Sequence, residues 1–92
     1  MSRASRITTI LRDAFAPDVL EVLDDSERHR GHSGYREGGE THYRVRIRAA
    51  VFDGVGRIEC QRRIHKALAG EFASGLHALS LDAGGSGRPV GR

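Results

Sequence analysis

Apolar residues recur at positions 7, 10, 11, 14 and 15, the spacing of one helix face, and predict an amphipathic helix over residues 5–15. Pro17 ends it, because proline has no amide hydrogen to donate and disfavours helical conformation in the residue before it. The stretch VLEVLD, residues 19–24, is short, partly β-branched and bounded by Asp and Ser, which predicts a mostly buried strand. From His42 the run HYRVRIRAAVF alternates strictly. Tyr43, Val45, Ile47 and Ala49 point one way and His42, Arg44, Arg46 and Arg48 the other, so one face should pack on helices and the opposite face should meet water or a negatively charged partner. After the turn Asp53-Gly54-Val55-Gly56, Cys60, Ile64, Ala67, Leu68 and Phe72 return to helical spacing as far as Ala73. Gly75 stands where a helix C-terminal glycine is expected. LHALSL, residues 76–81, then predicts a last strand with Leu76, Ala78 and Ser80 on one face and His77, Leu79 and Leu81 on the helix-facing side.

The order helix, strand, strand, helix, strand predicts a small α+β sandwich. Its first two strands pair antiparallel, the third joins them after a crossover to give a three-stranded mixed sheet, and both helices cover one face. Residues 1–83 make one domain, and residues 84–92, which carry no apolar pattern, are expected to be a disordered tail. A chain of 92 residues supports one modest core and leaves little material for a deep enzyme pocket.

Composition narrows the function classes. The net charge of +3 is a weak excess carried by 14 arginines and a single lysine, Lys66, and is thinner than the dense basic stripe typical of nucleic-acid modules. One cysteine, Cys60, excludes an intramolecular disulfide; it falls on the apolar helix face and is read as a small core residue. No apolar run is long enough for a signal peptide or membrane span, so a cytoplasmic protein without membrane attachment is expected. There is no P-loop, no strand-to-helix glycine fingerprint and no local nucleophile–base motif, which argues against an enzyme and against a small-molecule substrate. GHSG, residues 31–34, formally matches the clamp of KH nucleic-acid modules, but that clamp joins two helices and this one joins two strands. Tyr35 alone among the aromatics is placed in an accessible loop, too few for recognition by base stacking.

The candidate chemistry lies with histidine. Three of the five histidines fall in RHRGHSGYREGGETH, residues 28–42, where glycines allow close backbone approach to a partner. His42 opens the second strand on its polar face and His65 flanks the second helix; both read as structural or solvated. Alternation places His77 half-buried near the rim of the sheet, where it is either a satisfied core histidine or a metal ligand with one ring nitrogen free. His29 or His32 on the loop, together with His77, could form part of a metal site but could not complete one. A mononuclear zinc site from His29, His32 and His77 lacks the paired spacing of structural zinc.

LEVLDDSERHRGHSGYREGGETHYRVRI, then FDGVGRIECQRRIHKALAGEF, then LHALSL resemble the BolA family over residues 7–82. The specific motifs are GETHYRV after a glycine-rich loop and a terminal strand opening with HAL. The resemblance implies a fold related to the type II KH domain. It implies a non-enzymatic adaptor that forms a heterodimer with a monothiol glutaredoxin and shares a [2Fe–2S] cluster with it, in iron–sulfur trafficking or iron-status regulation. The partner and its glutathione would supply thiolates, and this chain, carrying no cofactor alone, would supply His77 and a loop histidine. By its distance from Ser26 that ligand is His29, with His32 as the competitor. Imidazole in place of thiolate reduces the negative charge on iron and raises the reduction potential, and because imidazole ligates only when unprotonated, acid should weaken such sharing. Where many members carry Arg-His-Arg at the start of the long helix, this chain has Cys60-Gln61-Arg62. The alternative is a KH-like DNA-binding transcriptional regulator using Arg44, Arg46, Arg48 and Arg62, since some BolA relatives are described as regulators. DNA binding through several phosphates would fall steeply with salt, a metal-bridged heterodimer with chelation.

Overall fold

The computed structural model describes residues 2–25 and 42–86; His29, His32, Tyr35, the GHSG run and residues 87–92 of the expected tail lie outside them. Helix α1 is Arg3–Phe15, strand β1 Val19–Asp24, strand β2 His42–Arg48, helix α2 Arg57–Ala67, helix α3 Ala69–Ala73 and strand β3 Ala78–Gly84. Among the described residues the strands form one sheet in the order β1-β2-β3, with β1–β2 antiparallel and β2–β3 parallel. This is the expected α+β architecture. A parallel β2–β3 pair needs a crossover, and α2 and α3 supply it.

Helix α1 begins two residues earlier than its apolar spacing predicts, because Ser2 caps it: the Ser5 amide donates to Ser2 Oγ at 3.1 Å. It ends as Pro17 requires. Ala16, barred from continuing the helix, turns left-handed at φ 47° and donates its amide to Arg12 O. Ile7 and Leu11 bury completely, and α1 packs on β1 while α2 packs on β3. Register aligns Leu20 with Ile47 and Val22 with Val45, then Tyr43 with Leu79 and Val45 with Leu81. These residues make the helix-facing side of the sheet, whereas Glu21, Arg44, Arg46, Ser80 and Asp82 line the open side.

Three expectations are corrected. The second strand stops at Arg48 instead of running to Phe52. The Ala49 amide donates to Gly84 O at 3.1 Å, and a 3₁₀ turn at Ala50–Phe52 then swings Phe52 into the core against Phe15, ring centroids 4.9 Å apart. The second helical region is two helices, with Leu68 between them at φ −97°, ψ 12° and its side chain fully buried. The last strand starts at Ala78 and runs to Gly84, past its expected end at Leu81. Leu79 and Leu81 keep their predicted side, but Leu76 and His77 precede the strand and escape its alternation. Leu76 is buried and His77 is exposed, the reverse of the expected placement.

The end of β3 is tied to the turn before α2 through Asp53, whose Oδ1 accepts from the Ser86 amide at 2.9 Å. Gly85 lies against that turn: a Cβ there would collide with Asp53 Oδ1 and stand 3.1 Å from Asp53 Cα. The backbone atom cannot swing aside, so Gly85→Ala should destabilise the fold by about 1–3 kcal/mol. A urea unfolding curve checks this, with Gly70→Ala, where a Cβ meets nothing within 4 Å, as the control.

Candidate metal-ligand site at the rim of the sheet

His77 is delivered to the rim by a tightly bonded turn. After α3 the Gly75 backbone adopts φ 131°, which a side chain would strain, and the Leu76 amide donates to Glu71 O at 2.9 Å. Leu76 is 4% exposed and anchors the segment in the core. Arg3 grips the same turn from α1. Its Nη1 donates to Glu71 O at 3.1 Å, Glu71 Oε1 at 2.8 Å and Ser74 Oγ at 2.9 Å, and its Nη2 donates to Ser74 O at 3.2 Å. Arg6 adds Nε to Glu71 Oε2 at 3.0 Å and Nη2 to Oε1 at 3.1 Å. The Arg6 hydrogen bonds, with the positive charge of Arg6 and Arg3, hold the Glu71 carboxyl below its ordinary value against the burial that opposes ionisation.

Beyond this turn the exposed His77 ring meets the ring of His42, centroids 5.2 Å apart and planes at 50°. His42 is 5% exposed and aligns with Ala78 in the parallel ladder. The position read as structural or solvated is therefore structural and buried. On its other side, the Asp25 amide donates to His42 O at 2.7 Å. Asp25 and His42 flank residues 26–41, so the segment bearing His29 and His32 leaves and rejoins the sheet at the rim where His77 stands. Where His29 and His32 lie relative to His77 falls outside the described residues.

The remaining candidates separate from this rim. Cys60 is fully buried, its Sγ 3.7 Å from Val55 O, as expected of a small core residue. His65 is exposed and stacks on Phe72, centroids 5.2 Å apart and planes at 15°. Each arginine proposed for nucleic acid has a carboxylate partner: Arg44 with Asp25 at 3.2 Å, Arg46 and Arg48 with Asp82 at 3.9 and 2.9 Å, and Arg62 with Glu59 at 3.8 Å. Those partners dilute the positive field that phosphate binding needs. Among the described residues no three His, Cys, Asp or Glu side chains are grouped to hold a metal ion. No described helix is long and apolar enough to cross a membrane.

Sequence reasoning missed the Arg3–Arg6–Glu71 cluster. Its signal was present: Glu71 falls eleven residues after Cys60, on the apolar stripe of Cys60, Ile64 and Leu68, and a carboxylate on a buried stripe requires cationic partners.

Residues 11–86 match the family model described as BolA-like protein. The chain is 40% identical over 91 residues to the "Uncharacterized protein in cobS 5'region" of Sinorhizobium sp, covering 98% of each. It is 39% identical over 77 residues to BolA-like protein 1 of Pongo abelii, covering 84% of this chain and 53% of that one. Among solved structures it superposes on the BolA domain of SufE1 from Arabidopsis thaliana with a TM-score of 0.81 and 36% identity, covering 100% of this chain and 98% of that one.

Proposed function

Because the chain belongs to the BolA family, we propose that it is a non-enzymatic adaptor that binds a monothiol glutaredoxin and shares a [2Fe–2S] cluster with it. The observation that carries this reading is the rim itself. One exposed imidazole, His77, follows a hydrogen-bonded turn and lies beside both ends of the histidine-bearing segment 26–41. A lone exposed imidazole is half of an arrangement, and that suits a cluster completed by the partner's thiolates. In this reading His77 is the fixed ligand and His29 the loop ligand, with His32 as its competitor. When bound, the cluster supplies iron sites that accept neutral nitrogen donors. This chain's own work is to present His77 at a fixed place and to dock the partner.

The test is to titrate a [2Fe–2S]-loaded monothiol glutaredoxin with wild type, His77→Ala, His29→Ala and His32→Ala while recording visible absorption and circular dichroism. Wild type should give a new heterodimer spectrum, His77→Ala should abolish it, and only one loop variant should alter it. A glutaredoxin spectrum that wild type leaves unchanged would sink the reading. Steeply salt-dependent DNA binding by the same sample would instead favour the arginine-lined face.

A further inference from the structure

We propose that His42 is the positioning residue for His77: its buried ring forms the support against which the exposed His77 ring is held, and so sets the direction in which His77 offers its nitrogen. The inference rests on the reading of His77 as a cluster ligand and assigns to His42 no ligand role of its own.

His77 belongs to no strand, since β3 begins at Ala78, and neither backbone ladder fixes it. An exposed side chain in such a place would distribute over several staggered rotamers. A metal site tolerates little of this, because donor atoms must be held to a fraction of an ångström by groups that are themselves locked by packing. His42 meets that requirement. It opens β2, the central strand, where the Asp25 amide bonds its carbonyl at 2.7 Å on one side and Ala78 aligns with it on the other. Its ring is almost wholly shielded from water, and it lies at 5.2 Å and 50° from the His77 ring, within the distance range of favourable aromatic pairs. The position belongs to the open side of the sheet, in phase with the exposed Arg44 and Arg46, yet it is buried. Local alternation does not account for that burial, whereas contact with His77, contributed from 35 residues downstream, does so in part.

The experiment uses the full chain and the loaded glutaredoxin, with wild type, His42→Ala, His42→Phe and His77→Ala, reading both the affinity and the visible circular dichroism of the complex. Losing a group that orients a ligand costs on the order of 10- to 100-fold in metal affinity. His42→Ala should therefore bind about tenfold more weakly with an altered dichroism spectrum, whereas His42→Phe, which keeps a ring under His77, should stay within about threefold of wild type. Nuclear Overhauser contacts between the two rings in the free wild-type protein provide a readout that needs neither partner nor substitution. They keep the inference testable if His42→Ala fails to fold. Wild-type affinity and spectrum in His42→Ala, or free protein without ring-to-ring contacts, would overturn the positioning role. Equal losses in His42→Phe and His42→Ala would also overturn it. If His42→Ala behaves as wild type while His77→Ala abolishes the complex, the positioning role fails and the cluster reading stands. If His77→Ala binds like wild type, the cluster reading fails and the positioning role with it.

Discussion

Phe52→Ala should cost about 3–5 kcal/mol, the range for truncating a fully buried phenylalanine. Phe52 is 1% exposed and its ring meets Phe15 at 4.9 Å, so it locks the 3₁₀ turn after β2 to the C-terminal end of α1. Two costs combine: the apolar surface is no longer buried, and the rigid walls around it, among them the end of α1, cannot close the cavity left behind. A domain of this size has total stability toward the lower end of about 5–15 kcal/mol, so the variant should retain little margin. Thermal unfolding should show a midpoint lowered by tens of degrees, given about 4–8 °C per kcal/mol for a domain of this length. Val51, its neighbour in the same turn, is 51% exposed, and Val51→Ala should change stability by no more than about 0.5 kcal/mol. Equal losses from the two substitutions would mean that the turn's backbone, and not the buried ring, holds this corner together.

That corner also marks where periodicity stops being informative. The first helix and the first two strands are legible because their apolar residues repeat at 3.6 or 2 residues over a long enough run, and because Pro17 ends one of them by backbone chemistry alone. AVF, residues 50–52, continues the apolar character of β2, and nothing local tells a buried 3₁₀ turn from two more strand residues. The last strand fails differently. In LHALSL the leucines at 76, 79 and 81 do not share one phase, so alternation alone does not tell a strand with leucines on both faces from one that begins after Leu76. Leu76 lies outside the strand, because Gly75 and the bonded turn before it bury that leucine from another direction. The error propagates to the site, since His77 also lies before the strand and is exposed where alternation predicted it half-buried. His77, His29 and His32 were identifiable as candidates by residue type and motif. The burial of His42 was not, because part of what shields it is the His77 ring, a contact between residues 35 apart.

Glu71→Ala should destabilise the protein by about 3 kcal/mol, with an effect that fades in acid. Glu71 is 7% exposed and Arg3 8%, so removing the carboxylate leaves a buried guanidinium without its countercharge, the circumstance in which breaking an ion pair costs about 3–5 kcal/mol. Arg3 keeps acceptors at Glu71 O, Ser74 Oγ and Ser74 O, which places the loss near the lower end of that range. The half-exposed Arg6 contributes less, and Arg6→Ala should be the milder change. The pH dependence follows from the direction of the shift. Hydrogen bonds from Arg6, with the charges of Arg6 and Arg3, lower the native carboxyl below its ordinary value of 4.5, so the native state binds fewer protons than the unfolded chain as that value is approached. Glu71 therefore contributes stability that is fully present above about pH 5 and is lost as pH falls through the lowered native value. Urea midpoints of wild type and Glu71→Ala should differ most near pH 7 and converge in acid, whereas a gap that stays constant down to pH 3 would refute an ionic origin. Because Arg3 and Glu71 bond the turn that ends one residue before Leu76, the variant carries a second expectation. Its weakened turn should broaden the His77 ring resonances in the free protein at pH 7 relative to wild type.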